Sequence, residues 1–97
     1  MDITFAHKGV ERLAQTGDAS GIFHCHASKI RALLAAIGRA ANTRELRSCL
    51  GRSFNAHAFR KFSGAHCMSF RMTGNWRFLV KFSDSGESVT VDYLDYH

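Results

Sequence analysis

The sequence predicts a single α+β domain over residues 1–97, with an N-terminal strand and helices packed on a small antiparallel sheet. Three observations point there. The chain has 97 residues, 45% hydrophobic and 22% charged, which suits one globular domain and argues against disorder. Between Cys25 and Ala41, the residues Ala27, Ile30, Leu33, Leu34, Ile37 and Ala41 fall at the spacing of one apolar helical stripe. From Cys67 onward, apolar and polar residues alternate in runs separated by short turn signals, the pattern of an antiparallel meander.

The elements follow in order. Asp2, Ile3, Thr4, Phe5 and Ala6 alternate as a short strand. His7-Lys8-Gly9 leads into a short helix through Val10, Glu11, Arg12 and Leu13 that ends near Gly17, and Asp18 to Gly21 reads as a turn. The clearest helix runs from about Cys25 to Ala41, with Lys29, Arg31 and Arg39 off its apolar stripe and Gly38 weakening its last turn. Asn42 or Thr43 would cap one further turn, Arg44 to Arg47.

After Gly51 the period changes to two. Phe54, Ala56 and Ala58 alternate with polar neighbours, and Met68, Phe70 and Met72 alternate with Cys67, Ser69 and Arg71. Thr73-Gly74 is a turn signal. Trp76, Phe78, Val80 and Phe82 then alternate with Asn75, Arg77, Leu79 and Lys81. A second turn at Asp84-Ser85-Gly86 leads to Val89, Val91 and Tyr93, which alternate with Ser88, Thr90 and Asp92. Three or four C-terminal strands are expected, with the helices on one face. The other, more polar face is expected to carry Arg71, Arg77 and Lys81, since residues two apart share a face. No linker, repeat or low-complexity tract interrupts the chain.

The formal net charge is +5, and nine of the thirteen basic residues are arginine. Between Leu46 and Ser83 lie seven Lys or Arg and no acid. A basic face suited to phosphate is expected, because arginine grips phosphate with two parallel hydrogen bonds. The three cysteines, Cys25, Cys49 and Cys67, fit no metal spacing, and an odd number of them suggests reduced thiols. Cys25 lies between His24 and His26, but adjacent residues rarely all reach one tetrahedral ion, so no metal site is expected. No apolar run is long enough for a signal peptide or a membrane span, so a cytoplasmic location is expected.

Three motifs resemble those of HigB-type toxins of the RelE/ParE superfamily. They are the opening Phe5-x-His7-Lys8-Gly9-Val10-Glu11, the strand Gly74-Asn75-Trp76-Arg77-Phe78, and the closing Val91-Asp92-Tyr93-Leu94-Asp95-Tyr96-His97. The resemblance covers nearly the whole chain. It implies a RelE-like fold, a type II toxin that cleaves messenger RNA on the ribosome, and a HigA-like helix-turn-helix antitoxin through which alone operator DNA would be met. One stretch departs from the family, which has His-x-Leu-Lys-Gly and then Gly-x-Trp-Ser before the sheet. Here the chain reads His57-Ala58-Phe59-Arg60-Lys61-Phe62, then His66-Cys67-Met68-Ser69. Aligned on His57, Arg60 takes the place of the family lysine; aligned back from Asn75, Lys61 does.

The resemblance and residue chemistry together assign roles. Metal-free RNA cleavage must take a proton from the 2′-hydroxyl, neutralise the phosphorane and protonate the leaving 5′-oxygen. No cofactor is implied. His97 is the first candidate for proton transfer, and Asp95 either orients it or acts as base. Arg77 would hold the scissile phosphate, with Arg60 or Lys61 as the second cation and His57 as an additional proton-transfer group. Arg71 and Lys81 would bind RNA. Tyr96 is core or a base-stacking platform, and Trp76 is core. His7, His24, His26 and His66 are read as surface residues. Two rival readings share the fold. One is a ParE-like inhibitor of another target such as gyrase, although such members usually lack the terminal histidine. The other is a degenerate toxin that mainly binds its antitoxin.

Overall fold

A computed structural model describes residues 2–53, 57–58 and 66–95. The chain runs β1 (Asp2–Phe5), α1 (Lys8–Thr16), α2 (His24–Arg39), α3 (Thr43–Ser53), β2 (His57–Ala58), β3 (His66–Arg71), β4 (Trp76–Phe82) and β5 (Ser88–Asp95). Five strands form one sheet in the order β1-β5-β4-β3-β2. The expected antiparallel meander is present across β2 to β5. β1 adds one parallel pair at the edge, with Ile3 beside Val89 and Phe5 beside Val91. A parallel neighbour needs a long crossover, and here three helices and three strands intervene.

Alternation sorts the sheet into two faces. Phe70, Phe78, Val80, Val89, Val91 and Tyr93 turn toward the helices and are almost wholly buried. Against them pack Val10 and Leu13 of α1, Ile30, Leu33 and Ile37 of α2, and Leu46 and Leu50 of α3. α3 is longer than the single turn expected. Leu46 and Leu50, one helical turn apart, are both fully buried, so packing extends a segment of unexceptional propensity. Its cap is Asn42, whose side-chain oxygen accepts from the Glu45 N–H at 2.9 Å.

The opening motif has a mechanical basis. His7 Nδ1 accepts from the N–H groups of Gly9 at 3.0 Å and Val10 at 3.3 Å, which caps α1 with an imidazole. Gly9 lies against Gly21 in the turn before α2. A Cβ on Gly9 would sit 2.7 Å from the Gly21 carbonyl oxygen, closer than atoms can pack. The motif therefore sets how tightly the first helix returns to the chain that follows it.

On the other face, Arg71 opposes Arg77, Ser69 opposes Leu79, and Cys67 opposes Lys81. Leu79, Cys67 and Ser69 are nonetheless buried, and this face becomes exposed toward the β3–β4 turn, at Arg71. No helix among the described residues is long and apolar enough to cross a membrane.

Candidate functional site

Two basic residues of the sheet, exposed Arg71 and half-buried Arg77, flank the β3–β4 turn. Gly74 takes a left-handed φ of 61° there, and the turn closes with Trp76 N–H donating to the Thr73 carbonyl. Arg71 and Arg77 stand directly opposite each other at the closed end of the hairpin, next to the turn. Like charges in that position repel at the scale of a few tenths to about 1 kcal/mol, which an anion between them would relieve. Arg77 Nη1 donates to the Trp76 carbonyl at 3.0 Å and reaches the Gly74 carbonyl at 3.4 Å, so the guanidinium curls over its own turn. Lys29, from α2, donates to the Arg71 carbonyl at 2.8 Å. Three cations from three elements, α2, β3 and β4, thus lie at one turn. Lys81 shares their face but lies four residues along β4, about 13 Å from Arg77.

Asp95 is the last residue of β5 and pairs with Trp76, while Arg77 pairs with Leu94. Alternation puts the carboxylate and the guanidinium on opposite faces at the same end of the sheet. Asp95 is exposed. His57 stands opposite Ser69 in the β2–β3 register. Arg60, Lys61, Tyr96 and His97 lie outside the described residues.

Behind this end of the sheet sits an aromatic and histidine cluster. Trp76 stacks on Tyr93, with ring centroids 4.5 Å apart and planes at 22°. Expected as core, Trp76 is half-buried and packs against it. Phe23 meets Trp76 edge-to-face at 5.1 Å, and His7 meets Tyr93 edge-to-face at 5.3 Å. His26 joins three elements: one ring nitrogen reaches Tyr93, the other Thr73. The Thr73 backbone N–H donates to Nε2 at 3.2 Å, and a backbone N–H cannot reverse its role. Nε2 is therefore a lone pair, Nδ1 carries the ring proton, and Nδ1 donates to the Tyr93 hydroxyl. The imidazole is neutral, and burial holds its pKa below the ordinary value. Burial pushes the Tyr93 phenol up, opposed by a hydrogen bond from the backbone of Phe23.

His26 corrects the sequence reading, which placed it at the surface; it is 2% exposed. The signal was present. His26 precedes Ile30, Leu33 and Ile37 at helical spacing, so it continues the buried stripe of α2 by one turn. His7, also read as surface, is the half-buried cap of α1. Lys29 was seen only as lying off the stripe. Its approach to the β3–β4 turn depends on how α2 crosses the sheet, which no local pattern encodes.

Among the described residues, no group of three or more His, Cys, Asp or Glu could hold a metal. A shallow cleft of about 540 Å³ lies between the start of α3 and the β4–β5 turn, lined by Arg44, Arg47 and Phe82 among others; none of the candidate residues lines it. Against known families, the model described as RelE-like toxin of type II toxin-antitoxin system HigB matches residues 3–97. No curated protein matches the chain.

Proposed function

The chain belongs to the HigB-like family of RelE-like toxins of type II toxin-antitoxin systems, and from that membership we propose that it is a ribosome-dependent endoribonuclease that cuts messenger RNA. Such a toxin has an antitoxin partner; the proposed one is a HigA-like helix-turn-helix protein, which alone would carry the complex to operator DNA. The proposed setting is the cytoplasm.

The observation that carries the reading is the opposed Arg71–Arg77 pair, at the same end of the sheet as Asp95, which projects from the other face. Two guanidiniums on one face, Arg77's held over its own turn by the Gly74 and Trp76 carbonyls, suit a phosphate that gains charge as the 2′-oxygen attacks phosphorus. Asp95 takes or directs the 2′-hydroxyl proton, and His97 returns one to the departing 5′-oxygen, leaving a 2′,3′-cyclic phosphate. Arg60 or Lys61 adds charge, and His57 is an additional proton-transfer group. A site with so few parts relies on its substrate being held in line, which the ribosome would do.

The test is primer extension on a translated message, with and without ribosomes, comparing the intact chain with Arg77→Ala and His97→Ala. Ribosome-dependent cuts that vanish in both variants are expected. An intact message with the unaltered chain refutes the ribonuclease reading, and gyrase inhibition in its place would support the ParE-like one.

A further inference from the structure

Two residues near the start of α2 grip the β3–β4 turn by its backbone. His26 Nε2 accepts from the Thr73 N–H at 3.2 Å and lies 2.6 Å from the Thr73 hydroxyl. Lys29, one helical turn further on, donates to the Arg71 carbonyl at 2.8 Å. His26 is the more confined of the two. Its ring is buried, and the other nitrogen is held by the Tyr93 hydroxyl, so the imidazole is a fixed post for Thr73.

The grip continues to a guanidinium. The Thr73 carbonyl accepts from the Trp76 N–H at 3.2 Å, which closes the turn. The Trp76 carbonyl accepts from the Met72 N–H at 3.0 Å and from Arg77 Nη1, also at 3.0 Å. The Gly74 carbonyl meets the same Nη1 at 3.4 Å. His26 and Tyr93 lie on the helix side of the sheet, and Arg71 and Arg77 point to the other side. The connection therefore crosses through the backbone of the turn and needs no contact between the imidazole and a cation. Arg77 leans on two carbonyls whose places depend on where Thr73 is held.

We infer that His26 is a positioning residue: through Thr73 it fixes the turn on which the Arg77 guanidinium rests, and so sets where that charge meets the phosphate. This rests on the ribonuclease reading for the identity of the phosphate. Only the Nε2 end of the ring serves the turn; the Nδ1 end ties α2 to β5. A supporting group of this kind matters because a charge misplaced by about 1 Å can cost about 100-fold in rate.

Four variants separate the two ends of the ring. His26→Gln carries an amide oxygen to the place of Nε2 and keeps an acceptor for the Thr73 N–H, whereas His26→Asn reaches only as far as Nδ1. His26→Phe keeps a ring with neither nitrogen, and Tyr93→Phe removes the partner of Nδ1 alone. Each is checked for an unchanged circular dichroism spectrum. Amide hydrogen exchange at Thr73 and Trp76 reads the turn, and kcat and KM on programmed ribosomes read the chemistry. Exchange is expected to quicken about tenfold in His26→Phe and His26→Asn, and to stay within about threefold in His26→Gln and Tyr93→Phe. In the first two, kcat is expected to fall about 10- to 100-fold with KM within about threefold, since a displaced charge is missed most where charge develops. The other two should keep kcat within about threefold of the unaltered chain. If Tyr93→Phe loses as much kcat as His26→Phe, or His26→Gln recovers none, His26 serves stability alone and the inference fails. It fails equally if His26→Phe leaves exchange at Thr73 and Trp76 unchanged. A turn loosened in His26→Phe and His26→Asn, in a chain that cuts no message, would sustain the anchor and sink the ribonuclease reading.

Discussion

Replacing His26 with phenylalanine keeps a ring in the core and deletes the two nitrogens that tie α2 to the β3–β4 turn and to β5. The Tyr93 hydroxyl loses its imidazole partner in a residue only 3% exposed. The Thr73 N–H loses its acceptor, although Thr73 is exposed and water can replace part of that bond. The Tyr93 hydroxyl keeps its bond from the Phe23 backbone, so the loss is of one hydrogen bond at a buried group and part of another at Thr73, and His26→Phe should destabilise by about 1–2 kcal/mol. In a domain of this length that lowers Tm by roughly 4–8 °C per kcal/mol. Tyr93→Phe removes the hydroxyl at the other end of that bond, and the double variant should recover about 0.5–1 kcal/mol relative to additivity. Denaturant unfolding of the four proteins measures this.

The same ring predicts a pH dependence. Its folded pKa lies below the ordinary 6.5, so as pH falls the unfolded chain takes up a proton before the folded one does. The contribution is complete above about pH 6.5 and is lost below it, by up to about 1.4 kcal/mol per pH unit until the folded pKa is passed. His26→Phe should flatten that limb. A variant within about 0.5 kcal/mol of the unaltered chain, or strictly additive with Tyr93→Phe, would refute the assigned tautomer and the tie it makes.

Two other predictions follow from packing. Gly9→Ala should lower stability by several kcal/mol, because its Cβ meets backbone at Gly21, whereas Gly38→Ala, in α2 with nothing within 4 Å, should raise it by about 0.4–1 kcal/mol; thermal unfolding of the pair checks both. Under native conditions a thiol reagent should label exposed Cys25 first and Cys67 last, since burial both shields the Cys67 thiol and pushes its pKa up; mass spectrometry over time should show the Cys67 adduct only at the pace of unfolding.

What the sequence made legible is what local periodicity encodes. The stripe from Ala27 to Ile37 located α2, and alternation located β3, β4 and β5 and put Arg71, Arg77 and Lys81 on one face. The parallel seating of β1 was not legible, because Ile3 and Val89 meet across most of the chain. Nor was the Trp76–Tyr93 stack: Trp76 pairs with Asp95 and Phe78 with Tyr93, so the two rings are diagonal neighbours that only the register brings together. His26 was misread because a histidine beside Cys25 looks polar, while its helical phase says buried. The candidate site was legible as residue types and as a face. Its second source of charge, Lys29, comes from α2 and needed the three-dimensional crossing of helix and sheet.

The pairing of β1 with β5 also orders events in time. Asp2 is made early and Ser88 late, yet each is the other's neighbour in the finished sheet. A growing chain on the ribosome therefore holds β1 without a partner through the synthesis of every helix and of β2 to β4. Contacts so distant in sequence form slowly, after local structure has been laid down. The sheet can be completed only once β5 has emerged, so the first of its strands to be made is among the last to be seated.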